Sequence, residues 1–210
     1  GLAANALDPE AVNNIFKAKG RPNDNPLIVH IADLSALPDV VSEVPEKARV
    51  LMERFWPGPL TIVLPRNPQI PDETTAGLDT VAVRMPSHPV ARALIQLSGV
   101  PIAAPSANIS GYPSPTTAQH VMRDMQGKIA AVVDGGACSV GVESTVIALE
   151  SNGTVRILRP GFVTKEMLEE VAPEVTLDPA ILHQLQEGQT VRSPGMKYQH
   201  YSPRAHVILV

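Results

Sequence analysis

Three cations within five residues, Lys17, Lys19 and Arg21, close a helical pattern, and the chain then bends through Gly20 and Pro22 into an apolar run, Leu27 to Ile31, that carries one histidine, His30. Ammonium and guanidinium groups neutralise phosphates and carboxylates. Placed where a strand begins or ends, they are held firmly while their tips stay in a cleft. The same lysines would also suit the C-terminal end of a helix dipole. The segment alone therefore leaves an anion site and a solvated helix end both open, with Lys17, one turn back, expected to be only the latter. His30 inside an apolar strand is by default a satisfied core histidine, and its nearness to the cations makes it a ligand candidate.

Further along, an arginine or a small hydroxyl or amide recurs just past an apolar strand. Arg84 follows Val81-Ala82-Val83, Ser106-Ala107-Asn108 follows Ile102 to Pro105, and Arg159 follows Val155 to Leu158. Singly, these are turn chemistry or surface arginines. Together they favour a phosphate and carboxylate site, because ligands of open α/β sheets gather at strand ends. Ser114-Pro115-Thr116-Thr117 reads either as a second anion seat at a helix N-terminus or as an ordinary cap. Gly135-Gly136 and the stretch from Gly141 to Thr145 permit close backbone approach to a ligand. His88, His120 and His183 are expected to be structural.

Several familiar devices are absent from the sequence. There is no GxxxxGKS/T phosphate loop, no GxGxxG turn, no HExxH, no Cys-x-x-Cys and no GxSxG elbow. No residue spacing suggests a protein metal cage, and no Cys/His pair supports covalent catalysis. Cys138, the single cysteine, is expected to be a small buried residue. One cysteine also rules out an internal disulfide framework and suits a reducing compartment.

Composition narrows the classes. With 17 basic and 21 acidic residues the net charge is -4, which argues against bulk electrostatic binding of a polyanion but leaves a local basic groove open. Three Phe, three Tyr and one Trp are too few for a base-stacking platform. No apolar run approaches the ~20 residues of a membrane span, and no signal segment opens the chain, so a cytoplasmic protein is expected. Twenty-one prolines imply many enforced turns and strand entries. The chain opens in mid-pattern on GLAANAL and closes on a strand-like run, His206 to Val210, as a piece of a longer protein would.

The elements that must position these residues alternate. Asp8-Pro9-Glu10 starts a helix that Gly20 ends. Strands are expected over Pro26–Ala32, Leu60–Leu64, Thr80–Met85, Pro101–Ala104, Ala130–Asp134, Ser144–Leu149 and Val155–Leu158, the last two joined by an Asn152-Gly153 hairpin turn. Helices are expected over Glu46–Phe55, Thr116–Met125, Lys165–Val171 and Pro89–Leu97, the last with Val90, Ala93, Leu94 and Leu97 on its apolar side. Pro65 to Asp79 reads as loop. The fold class is α/β, a twisted open mixed sheet with flanking helices. Residues 1–178 form the main domain, 179–205 a linker across the surface, and 206–210 the start of another α/β domain.

The ordered set of motifs resembles the YrdC-type threonylcarbamoyl-AMP synthases in their long form, with a linker and a C-terminal domain. The matching stretches are GLAANAL, the KGRP turn with PLIVHI after it, WPGPLT, VAVRMP, APSANISG, ESTV, LRPG and SPGMKYQHYSP, spread from residue 1 to residue 203. The resemblance implies formation of threonylcarbamoyl-adenylate from L-threonine, bicarbonate or CO2 and ATP, with Mg2+ held by phosphate oxygens and water. It implies pyrophosphate release and a product that serves N6-threonylcarbamoyladenosine modification of tRNA through separate transfer proteins.

Carried over by position, Lys19 and Arg21 are the catalytic cations. Arg21, Asn25, Thr80, Ser106, Asn108, Ser114, Arg159 and, in the linker, Tyr201 are ATP contacts. His30, Arg84 and Ser144 are threonine contacts. The family's threonine-binding segment before GLAANAL, with its first strand, and most of the C-terminal domain lie outside this sequence. The rival reading is a non-catalytic double-stranded RNA or tRNA-binding module on the same groove, and weak tRNA contact is compatible with either.

Overall fold

The computed structural model describes residues 1–182. Eight strands, β1 (Ala4–Asn5), β2 (Ile28–His30), β3 (Leu60–Pro65), β4 (Thr80–Arg84), β5 (Ile102–Ala103), β6 (Thr145–Leu149), β7 (Val155–Arg159) and β8 (Val175–Leu177), form one sheet in the order β1-β5-β2-β4-β3-β6-β7-β8. Pairing is mixed: β2 with β4, β3 with β6 and β7 with β8 are parallel, the rest antiparallel. The helices are α1 (Pro9–Lys19), α2 (Leu37–Val40), α3 (Glu46–Phe55), α4 (Asp72–Thr75), α5 (Pro89–Ser98), α6 (Ala118–Met125), α7 (Lys165–Glu169) and α8 (Pro179–Leu182).

Local sequence explains the element that leads into the site. Asp8 caps α1, its carboxylate accepting from the Glu10 and Ala11 amides, and Pro9 takes the first helical position. Gly20 ends the helix at φ 65°, a left-handed conformation that glycine adopts without strain. Val12, Ile15 and Phe16 enter the core.

The two faces of the sheet differ. Alternation along the strands sends Val29 and Ile31, Leu60, Ile62 and Leu64, Val81 and Val83 into the main core with Val12 and Phe16 of α1 and Ala48, Leu51 and Met52 of α3. Their neighbours point the other way. Register places Thr80, Ala82 and Arg84 of β4, Ile28 and His30 of β2, Thr61 and Val63 of β3 and Ile102 of β5 on one common face. That second face carries the polar candidates.

Four sequence expectations need correction. Ala130–Asp134 is not a strand: it pairs with nothing in the sheet, and Val133 is 62% exposed. Its apolar letters carry no flanking pairing partner, which a short edge segment needs. Helix α5 forms, but Val90, Ala93, Leu94 and Leu97 are exposed and Ile95 is its buried residue. From the same helix Arg92 donates to the Ala32 carbonyl at 3.0 Å. Cys138 is exposed, in the extended loop after α6. The loop Pro65 to Asp79 contains α4, and β1 and β8 are two strands too short or too polar for the pattern to reveal.

Candidate active site

The turn after α1 folds back under the loop that follows β5. Lys19 is 2% exposed, and its Nζ donates to the carbonyls of Ser106 at 2.5 Å and Asn108 at 2.8 Å, with Asn108 Oδ1 at 3.4 Å. Asn108 in turn spends its amide on the carbonyls of Ile109 and Tyr112, which fixes the loop's curl. Burial, then the adjacent Arg21 cation, pull the Lys19 amine down to about 7, while Asp124 pushes back. Lys19 therefore joins two segments 87 residues apart, a link no local spacing foretells.

Arg21 lies 5.1 Å from the centroid of the Phe16 ring. It borders an open cavity of about 740 Å³ lined by Pro9, Asn13, Phe16, Lys17, Gly20 and Asn23. Asn25 is 1% exposed, and its Oδ1 has no hydrogen-bond partner among the described residues. An orphaned buried acceptor costs stability unless something donates to it. Lys17 is exposed and bonds Asn14, as a helix end should.

The second cluster sits where β2 and β4 end and β6 begins. His30 pairs with Arg84 in the parallel ladder and with Ile102 across the antiparallel one. The half-buried His30 has its pKa lowered to about 3 by desolvation, then by the Arg84 cation, so it is neutral at pH 7. In that neutral form the ring meets the Ile28 carbonyl through Nδ1 at 3.2 Å, and the Ile102 backbone is a second hydrogen-bonding neighbour. Arg84 donates through Nε to the Gly58 carbonyl at 3.0 Å, and burial followed by the nearby Arg159 lowers its pKa. Its two Nη groups have no hydrogen-bond partner among the described residues.

Ser144 is held from several sides. Arg159 donates to its carbonyl at 2.8 Å and to its Oγ at 3.1 Å, and Thr61 Oγ1 lies 2.8 Å from the same Oγ. Gly161 packs so closely that a Cβ there would fall 2.7 Å from the Ser144 carbonyl carbon and against Glu143 O. Glu143 accepts from Ser114 Oγ at 2.7 Å, tying the loop before α6 to this corner. Thr117, rather than Ser114, caps α6, accepting from the His120 amide, so that helix end is an ordinary cap.

The structure thus brings the candidates into two linked groups. Lys19, Ser106 and Asn108 are joined by hydrogen bonds with Arg21 beside them; His30, Arg84, Ser144 and Arg159 form the second group, to which Ser114 is joined through Glu143, and no hydrogen bond among the described residues joins Asn25 to either. Thr80 shares the face of Arg84 at the far end of β4, roughly 13 Å away at ~3.3 Å per residue. Tyr201 and His183 lie outside the described residues. Sequence reading did not single out Thr61, Glu143 or Gly161 as site residues, although WPGPLT, ESTV and LRPG contain them.

Residues 1–161 match the Sua5/YciO/YrdC family, whose description is telomere recombination. The chain belongs to this family. Residues 163–210 match a second family, the threonylcarbamoyl-AMP synthase C-terminal domain. Among curated relatives in the family, the threonylcarbamoyl-AMP synthase of Pyrococcus abyssi is 55% identical over 210 residues, all of this chain and 61% of its own length. That of Bacillus subtilis is 55% identical over 206 residues, 98% of this chain and 58% of its own length. The chain thus spans about three-fifths of the relatives it matches. A crystal structure of P. abyssi Sua5 complexed with L-threonine superposes with a TM-score of 0.93, covering 98% of this chain and 59% of the other. The α/β fold with its mixed twisted sheet is that family's fold.

Proposed function

We propose that the full-length protein is an L-threonylcarbamoyladenylate synthase, forming threonylcarbamoyl-AMP and pyrophosphate from L-threonine, bicarbonate or CO2 and ATP. The observation that carries this reading is the corner where Arg84, Ser144 and Arg159 meet beside a neutral His30. It is a cationic corner with an uncharged imidazole next to it, in a chain 55% identical to proteins named for that activity.

Arg84 suits the threonine carboxylate: it is anchored by Nε, and a guanidinium can still present a fork to a carboxylate. The neutral His30 ring, beside Arg84, suits an uncharged contact to the amino acid. Arg159, Arg21 and Ser114 would then lie along the ATP phosphates, Asn25, Thr80, Ser106 and Asn108 toward the rest of the nucleotide, and Tyr201 would contribute from outside the described residues. Lys19 supplies positive field from beneath the 106–108 loop.

No protein nucleophile is required. The threonine amine takes up CO2 or bicarbonate to give a carbamate. A carbamate oxygen then forms a bond to the α-phosphorus as the bond to pyrophosphate breaks. The protein positions the two reactants and neutralises charge, as in phosphoryl transfer generally. Mg2+ would arrive on the triphosphate, held by phosphate oxygens and water; among the described residues no group of three or more His, Cys, Asp or Glu is close enough to cage an ion. The product is unstable and would pass to tRNA threonylcarbamoyl-transfer proteins, which places the work in the cytoplasm. No helix among the described residues is long and apolar enough to cross a membrane.

The test is pyrophosphate release from ATP by the full-length protein with and without L-threonine and bicarbonate. Release that requires all three supports the assignment. Release indifferent to threonine, or RNA binding steeply weakened by salt without turnover, contradicts it.

A further inference from the structure

Thr61 stands on β3 with no exposed surface, between Leu60 and Ile62, also fully buried. A buried strand position of this kind favours valine, which has the same shape and no hydroxyl to desolvate. The one hydrogen-bond partner of the Thr61 hydroxyl among the described residues is Ser144 Oγ, at 2.8 Å. The Ser144 hydroxyl also meets Arg159 Nη2 at 3.1 Å, and a guanidinium can only donate.

A serine oxygen has two acceptor lone pairs and one proton. Arg159 fills one lone pair. If Thr61 fills the second by donating, the single proton of Ser144 is left to point at a third group, an acceptor on the open face. If Ser144 donated to Thr61 instead, it would have no proton for a ligand. The geometry points to Thr61 as a positioning residue: by donating to Ser144 it aims the Ser144 hydroxyl proton at the carboxylate of the amino-acid substrate. This rests on the reading of Ser144 as a threonine contact. Thr61 itself does not touch substrate.

The experiment compares Thr61→Val, Thr61→Ser and Ser144→Ala in the full-length protein, reading KM for threonine, KM for ATP, kcat and thermal midpoint. Loss of one hydrogen bond predicts a three- to tenfold rise in threonine KM for Thr61→Val, roughly the worth of a single neutral bond, with ATP KM within about twofold. Thr61→Ser keeps the hydroxyl and should stay within about twofold for threonine although it opens a methyl-sized gap. A packing role predicts the reverse order, with valine harmless and serine costly, and that order overturns the inference. If Ser144→Ala raises threonine KM and Thr61→Val does not, the inference falls while the site reading stands. If Ser144→Ala leaves threonine KM unchanged, the site reading falls and takes the inference with it.

Discussion

In one group Lys19 is sealed beneath the 106–108 loop and gives its ammonium to three protein oxygens; in the other, Arg84 gives only Nε to the Gly58 carbonyl. The difference follows from the two head groups. An ammonium has one nitrogen, so once it clasps a loop it is spent on positioning. A guanidinium has five N–H donors in a rigid fork, so it can anchor with one edge and grip a ligand with another. On the proposed function, one cation is therefore a fastener that contributes field, and the other a fastener with donors left for a ligand.

The sharpest way to break this contrast is to remove Arg84, the cation proposed to bind threonine. Arg84→Ala is expected to cut threonine-dependent pyrophosphate release ~10²- to 10³-fold with a smaller loss of stability than Lys19→Met, since one carbonyl rather than two loses its donor; steady-state kinetics and a melting curve together decide it. Lys19→Met should behave differently. It leaves the Ser106 and Asn108 carbonyls without their donor, so denaturant unfolding should show a loss of ~1–3 kcal/mol alongside lower activity. A Lys19→Met protein as stable as wild type would show that the clasp is not a fastener.

Gly161→Ala probes the second end without touching a charge. Its Cβ would press on the backbone of Glu143, Ser144 and Thr145, which must shift at a typical overpacking cost of ~1–3 kcal/mol. Threonine affinity, measured by calorimetry, should fall more than ATP affinity. Equal losses for both ligands would mean that the corner serves the whole groove.

Per pH unit, the smallest effect is the pH dependence of stability. Lys19 titrates at about 7 in the folded protein against 10.5 when unfolded. Between those values the unfolded chain binds more protons, so stability from this group rises with pH from about 7 to about 10.5, by at most ~1.4 kcal/mol per pH unit. The gap in unfolding free energy between wild type and Lys19→Met should therefore widen from pH 7 to pH 10. A constant gap would mean that the Lys19 amine keeps its proton throughout that range.

Much of this was legible in the sequence because the signals were local. Helix α1 announced its cap, first-turn proline and terminal glycine, and β3, β4, β6 and β7 announced themselves as apolar runs. Arg84 and Arg159 were found because each follows such a run. What was not legible depended on distant partners. The Lys19 clasp joins residues 87 apart, and the Thr61–Ser144 bond spans 83. The exposed apolar residues of α5 and the unpaired Ala130–Asp134 show the converse: apolar letters set a propensity, and only a neighbour turns it into a buried face or a ladder.

The central claim is that the open face joins a threonine-derived carbamate to the α-phosphorus of ATP. The most direct measurement is mass spectrometry of the adenylate formed by the full-length protein from ATP, L-threonine and carbon-labelled bicarbonate. The account predicts a threonylcarbamoyl-AMP carrying the label, lost together with pyrophosphate release in Arg84→Ala. An adenylate without the label, or none while pyrophosphate is still released, would contradict it.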